Sequence, residues 1–185
     1  MKRLILFSGG IESTAMMVIK DEADVVITIE DESPNEMPTF KRYAVDSISK
    51  VMNFDVNYCK IHIPFEKPTE HFVYQLWTFV SIASLWVNRD TSIKEVWYGL
   101  NSSEPYQPCM EQFERIVKGW EAMHPNVKLV FPLRAMTREQ QWRIIPDNIK
   151  LLVRNCMFNK NCRQCRKCVE LMTFKGSFYT ELAQG

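Results

Sequence analysis

Residues 4–14 read Leu4-Ile5-Leu6-Phe7-Ser8-Gly9-Gly10-Ile11-Glu12-Ser13-Thr14. The first four residues are apolar, as is typical of a short buried strand. Two adjacent glycines follow, although the chain has only 6 glycines among its 185 residues. A loop between a strand and a helix lets backbone N–H groups converge on an anion, and Ser8, Ser13 and Thr14 add hydroxyl groups. We interpret residues 8–14 as a phosphate-binding loop. The alternative is an ordinary strand–turn–helix junction with Ser13 as the helix cap.

The pattern that follows this loop alternates between short apolar runs and stretches of helical periodicity. Near-continuous apolar strands joined by helices predict an α/β fold with a Rossmann-like parallel sheet covered on both faces. Ligands of such sheets bind beyond the carboxyl ends of the strands, so we look for chemistry after residues 7, 29 and 98. The predicted strands are Leu4–Phe7, Asp24–Ile29, Val56–Ile63, Glu95–Tyr98 and Val127–Phe131.

Helices are predicted from periodicity and from end signals. Apolar residues recur at helical spacing between Phe40 and Met52, and residues 136–140 carry a capping-box start at Thr137. Pro146 should stop or restart that helix. The uncharged stretch Phe72–Val87 is too short for a bilayer span and predicts a helix covered by protein.

Composition excludes several classes of protein. The chain has 23 Lys and Arg against 22 Asp and Glu, so its formal net charge is +1 and no bulk field attracts nucleic acid or anionic lipid. We expect no direct nucleic-acid binding and no membrane association. The apolar run near Met1 is too short for a secretory signal, so we expect a cytoplasmic protein. Its length suits one compact core, and a homodimer is left open.

Four of the six cysteines cluster near the end of the sequence, with the spacing C-x5-C-x2-C-x2-C. Four thiolates this close can surround one Zn²⁺ tetrahedrally, which predicts a structural zinc site. An iron–sulfur cluster and unligated surface cysteines are the alternatives. We expect a nucleotide-binding domain over residues 1–150 and a zinc-binding subdomain, packed on it, over residues 151–185. The predicted metal ligands are Cys156, Cys162, Cys165 and Cys168.

Polar residues after the fourth predicted strand are candidates for binding a substrate. Asn101, Glu104 and Tyr106 follow a strand carboxyl end, where such side chains can hydrogen-bond a purine-like edge. Cys109 is better interpreted as a contact residue than as a nucleophile, because nothing in the sequence lowers its pKa.

The loop Ser-Gly-Gly-Ile-Glu-Ser resembles the SGGxDS pyrophosphate loop of the PP-loop ATPases, with Glu12 in place of the family's Asp. Combined with the cysteine signature, it resembles the 7-cyano-7-deazaguanine synthase family. Residues 98–101, Tyr-Gly-Leu-Asn, resemble that family's GxN strand end, and residues 106–109 resemble its YPDC stretch. Residues 132–144 resemble its PL-containing strand end and following helix. The nucleotide-binding candidates are therefore Ser8, Gly9, Gly10, Glu12, Ser13 and Thr14, and Gly99 joins the substrate candidates.

This resemblance implies an adenine-nucleotide alpha-hydrolase fold and an ATP-dependent ligase that uses Mg²⁺ and Zn²⁺. The implied reaction converts 7-carboxy-7-deazaguanine and ammonia into 7-cyano-7-deazaguanine through an adenylated carboxylate. Alternatives in the same class are an enzyme that stops at the amide, or one that uses another acceptor, including tRNA thiolation. A non-catalytic nucleotide- or nucleic-acid-binding zinc module is the alternative from another class.

Overall fold

A parallel β-sheet forms the centre of the protein. This computed structural model describes residues 2–20, 24–31, 40–61, 71–100, 110–154, 163–164 and 168–176. Within these residues the sheet has five strands, all parallel, in the order β3-β2-β1-β4-β5. The strands are β1 (Lys2–Leu6), β2 (Val25–Asp31), β3 (Asn57–Ile61), β4 (Ile93–Trp97) and β5 (Lys128–Val130).

The predicted α/β class and parallel sheet are confirmed; the predicted starts of all five strands and the predicted ends of four of them lie within two residues of the observed ones. At two strand ends the pairing runs one residue beyond the strand itself. The Phe7 N–H donates to the carbonyl oxygen of Ile27 at 2.8 Å, and the Tyr98 N–H donates to that of Val130 at 3.1 Å. Residues 62–63, at the end of the third predicted strand, lie outside the described residues.

Helices connect the strands and continue beyond them. The predicted capping box is confirmed: the Thr137 hydroxyl accepts the Gln140 N–H at 3.2 Å, and the Gln140 side chain accepts the Thr137 N–H at 2.7 Å. Pro146 separates two short helices, as predicted. The helices are α1 (Ile11–Ile19), α2 (Phe40–Met52), α3 (His71–Arg89), α4 (Met110–Met123), α5 (Arg138–Ile144), α6 (Asp147–Lys150) and α7 (168–176).

Apolar clusters cover both faces of the sheet. Ile5 packs into the first cluster with buried residues of α1, α2, α5, α6 and α7, whereas Leu4 packs into the second with residues of α3 and α4. Successive residues of a strand point to opposite faces, which explains why these neighbours lie in different clusters.

The expectation that protein covers the whole of α3 is wrong. Its inner face is buried at Leu76 and Phe79, but Trp77 is 47% exposed and Leu85 is 71% exposed. An uncharged stretch predicts burial on average, and it does not reveal that one side of the helix faces outward. No helix within the described residues is long and apolar enough to cross a membrane.

Candidate phosphate-binding site

Residues 8–10 connect β1 to α1 at the centre of the sheet. The first residue before the helix is Gly10, in extended conformation, and no side chain caps the helix from that position. The α1 first turn therefore presents its N–H groups and positive dipole end to the loop, where an anion is stabilised. The alternative interpretation, in which Ser13 caps the helix, is wrong because Ser13 lies inside the first turn.

Two serine hydroxyl groups close the loop. The Ser13 Oγ accepts the Ser8 N–H at 3.1 Å and lies 3.1 Å from the Ser8 Oγ. It also donates to the Gly10 carbonyl oxygen at 3.3 Å. These bonds hold the loop in a tight curve. Because the Ser13 proton goes to the Gly10 carbonyl oxygen, the Ser8 hydroxyl is the donor in the serine pair, and a bound anion would have to replace one of these bonds to receive a hydroxyl proton.

Gly9 allows α2 to pack directly on the loop. Its φ is +70°, in the left-handed region that favours glycine, and a Cβ built there would lie 2.9 Å from the Ala44 Cβ. Its carbonyl oxygen accepts the Arg154 N–H at 2.9 Å. Both constraints act on one residue, so the loop's shape depends on glycine at this position.

Thr14 supplies a further polar group beside the loop. The residue is fully buried, and its Oγ1 has no hydrogen-bond partner among the described residues. A buried hydroxyl without a partner costs free energy, so this hydroxyl is available to donate to a group bound at the loop.

The end of β4 lies against the first turn of α1. A Cβ built on Gly99 would lie 3.0 Å from the Glu12 Cβ, so only glycine fits without displacing a neighbour. The predicted neighbourhood of the two strand ends is therefore observed at Gly99. Asn101, Glu104, Tyr106 and Cys109 lie outside the described residues, and their assignment stays a prediction.

Glu12 is held by an arginine that the sequence patterns did not identify. The Arg138 guanidinium donates from Nη2 and Nε to the Glu12 Oε1, at 2.7 and 3.1 Å. The same guanidinium also donates to the Glu170 carboxylate. Any Mg²⁺ at the Glu12 carboxylate would share it with this cation.

Residues 151–154, which follow α6, and the helix α7 pack on the same side of the sheet as the loop. Val153 is fully buried, and Leu171 belongs to the apolar cluster that contains Phe7. Lys175 on α7 donates to the carbonyl oxygens of Leu151 and Val153, both at 3.2 Å. Burial, and secondarily the positive charge of Arg154, lowers the pKa of Lys175 to about 8.

Of the four predicted metal ligands the structure describes one. Cys168 is buried at the start of α7, whereas Cys156, Cys162 and Cys165 lie outside the described residues. The described residues alone contain no group of three side chains placed to hold a metal ion. The zinc site is therefore still a prediction.

Sequence reasoning did not identify Arg138, Arg154 and Glu170 as parts of this site. In the sequence, Arg138 is marked only by its position beside Thr137, at the start of a predicted helix. Its partner Glu12 is 126 positions away, and no local pattern marks such a pair.

The fold matches that of known proteins, although the sequence matches no protein-family model and no curated protein. NMN synthetase from Francisella tularensis superposes with a TM-score of 0.56 at 14% identity, over 83% of this chain and 65% of that one. The U34-tRNA thiolase NcsA from Methanococcus maripaludis, with its [4Fe-4S] cluster, gives 0.50 at 14% identity, over 98% of this chain and 66% of that one. The chain thus spans about two thirds of each neighbour's length. The predicted PP-loop adenine-nucleotide alpha-hydrolase fold is confirmed.

Replacing Gly9 by alanine should lower the free energy of unfolding by about 1–3 kcal/mol, because the new Cβ meets Ala44 and the φ of +70° is strained. Gly119→Ala is the matched control: no atom lies within 4 Å of its built Cβ, and alanine favours the α4 helix. Urea unfolding measures both variants. Equal stability of Gly9→Ala and the wild type would contradict the left-handed loop geometry.

Lys175 should make the protein more stable as pH rises. Its pKa is about 8 in the folded protein and 10.5 in the unfolded chain, so between these values the unfolded state binds more protons. The free energy of unfolding of the wild type, relative to Lys175→Met, should therefore increase from pH 8 to pH 10.5. A flat difference across this range would mean that the Lys175 ammonium is not desolvated.

Proposed function

We propose that this chain is an ATP-dependent adenylating enzyme that holds the pyrophosphate of ATP in residues 8–14. The observation that carries this proposal is the loop itself, with Gly9 in the left-handed conformation and the uncapped α1 N-terminus at the carboxyl edge of β1. The shared fold of the ATP-binding type supports it. The strand order also favours this position. The second and third strands add to the sheet on one side of β1 and the last two add on the other side, and ligands of such sheets bind where the order switches, between β1 and β4.

The residues of the loop suit the release of pyrophosphate. In adenylation, a substrate carboxylate oxygen attacks the α-phosphorus and the bond to the β-phosphate breaks. Negative charge then develops on the pyrophosphate, and fixed N–H and hydroxyl donors stabilise it without reorganising. Ser8, Ser13 and Thr14 would supply such hydroxyl groups beside the helix N-terminus. Bound Mg²⁺ would neutralise part of the phosphate charge.

We assign the substrate as 7-carboxy-7-deazaguanine, on the resemblance of residues 98–101 and 106–109 to the synthase family. Ammonia would displace AMP from the acyl adenylate to give the amide. A second ATP would activate the amide oxygen, and loss of AMP would leave the nitrile. Gly99, Asn101, Glu104, Tyr106 and Cys109 are the proposed substrate contacts. Gly99 supports this arrangement because it lies against the first turn of α1.

Residues 151–185 would form a subdomain that a structural Zn²⁺ orders through Cys156, Cys162, Cys165 and Cys168. The burial of Cys168 favours a ligand role over a role as a reactive surface thiol. Binding free energy at such sites is on the order of 10 kcal/mol, which is comparable with the stability of a whole domain. The metal would therefore decide whether this segment folds.

A tRNA thiolase is the second candidate function. The observation that favours it is the fold shared with NcsA, described as a U34-tRNA thiolase with a [4Fe-4S] cluster, together with four clustered cysteines in this chain. In that case the adenylated group would be a tRNA base and the cysteines would hold iron.

An ATP–pyrophosphate exchange assay tests the adenylation. Exchange should require 7-carboxy-7-deazaguanine, and Ser13→Ala should reduce kcat/KM about 10- to 100-fold because the loop loses a hydroxyl donor. Ser49→Ala is the matched control, since the Ser49 hydroxyl donates to the Asp46 carbonyl oxygen in a solvent-exposed hydrogen bond on α2. Wild-type exchange in Ser13→Ala would contradict the loop's role. AMP release that depends on tRNA rather than on the acid would favour the thiolase.

Elemental analysis and X-ray absorption should find one Zn²⁺ per chain with four sulfur ligands at about 2.3 Å. Cys168→Ser should lose the metal, whereas Cys59→Ser should retain it because Cys59 lies on β3 and packs in the apolar cluster on the opposite face of the sheet from α7. Iron with inorganic sulfide would replace zinc in this account and favour the second candidate. Purified protein without any metal would refute both sites.

A further inference from the structure

Arg138 connects the phosphate loop to the helix that begins with a predicted metal ligand. Its side chain is only 3% exposed and lies between two carboxylates, Glu12 at 13% and Glu170 at 24% exposure. Glu12 belongs to the first turn of α1, and Glu170 lies two residues after Cys168. The ion pairs therefore join three helices that are far apart in the sequence.

A second connection runs through the backbone on the other side of the cysteine segment. The Arg154 N–H donates to the Gly9 carbonyl oxygen at 2.9 Å, immediately before residues 155–167. Lys175 then ties the end of α7 to residues 151–153 through two carbonyl oxygens. The cysteine segment thus begins and ends at residues attached to the loop.

The energetics of burial make the first connection strong. A buried cation is tolerated when its partners satisfy all of its donors. If α7 separated from α5, Arg138 would keep Glu12 but lose the Glu170 contact that holds its Nη1, so the guanidinium, and Glu12 with it, would no longer be fixed in one position. Since Glu12 lies in the first turn of α1, the position of the helix N-terminus depends on whether α7 is docked.

We propose that Arg138 and Glu170 are positioning residues that couple the docking of α7 to the shape of the phosphate loop. The inference deepens the proposed function, because it names what regulates the proposed ATP site. Coupling of this kind is reciprocal: a ligand in the loop stabilises α7 as much as α7 stabilises the liganded loop.

Residue-resolved hydrogen exchange tests the coupling without assuming any ligand. The Thr14 and Arg154 amides report on the loop, since they donate to the carbonyl oxygens of Gly10 and Gly9. In Glu170→Gln their exchange should accelerate about ten-fold relative to the remote Val127 amide. Glu139→Gln is the matched control, because Glu139 pairs with Arg143 on the exposed side of the same helix α5.

The second measurement adds an ATP analogue with a non-hydrolysable α,β bond, together with Mg²⁺. Bound analogue should slow exchange of the amides of residues 172–176 in the wild type and in the control Arg143→Gln. In Arg138→Gln the analogue should bind about ten-fold more weakly and give no such protection. Arg138→Lys should restore part of the effect, since a cation returns to the two carboxylates.

The outcomes separate this inference from the proposed function. If the wild type binds no analogue but Glu170→Gln accelerates loop exchange, ATP chemistry is refuted and the positioning role stands. If the analogue binds and Glu170→Gln behaves like Glu139→Gln, the positioning role is overturned and the ATP site stands. Should Arg138→Gln fail to fold, Glu170→Gln still decides, because it leaves the Glu12–Arg138 pair intact.

Discussion

The burial of one guanidinium constrains how the helices of this protein assemble. Desolvating a charged group costs several kcal/mol, and Arg138 is almost completely removed from solvent. Two carboxylates offset that cost, one from α1 and one from α7, so α5 can pack only where both reach it. The capping box at Thr137 fixes where α5 begins and therefore where Arg138 lies. The local sequence and the long-range ion pairs specify the same position.

The sheet topology supplies the second constraint. β1 lies between β2 and β4, so the loops that follow β1 and β4 emerge side by side at the carboxyl edge. Glycine is scarce in the chain, yet Gly9 and Gly99 both lie where another element approaches the backbone closely. A Cβ built on either residue would lie within 2.9 or 3.0 Å of the Cβ of a neighbouring residue. In each case the neighbour is a helix, α2 at Gly9 and α1 at Gly99. Gly9 permits the close packing of α2 on the phosphate loop, and Gly99 permits the close approach of the chain after β4 to the first turn of α1.

The sequence predicts the strands and the loop well because their signals are local. Apolar runs mark buried parallel strands, and the pair Gly9-Gly10 marks a place where the backbone must turn closely beside another element. The partner of Arg138 has no local signal, since tertiary packing alone brings Glu12 to it. The exposed side of α3 shows a prediction that local composition gets wrong. Composition suggests that Leu85 is buried, but which side of a helix is buried depends on the elements that pack against it. The cysteine pattern and the residues after Gly99 lie where the structure provides no test.

The two candidate functions share the release of pyrophosphate and differ in the nucleophile that attacks the adenylate. Ammonia needs no metal, so the cysteines of an amide- or nitrile-forming enzyme can close a structural site completely. Sulfur transfer from a metal centre needs an open coordination position, whereas four thiolates around one zinc leave none. With all of Cys156, Cys162, Cys165 and Cys168 as ligands, the pattern fits a closed site. A thiolase would require one of these four to leave the metal, and Cys168 is poorly suited to do so because it is buried on the helix that α5 holds through Glu170.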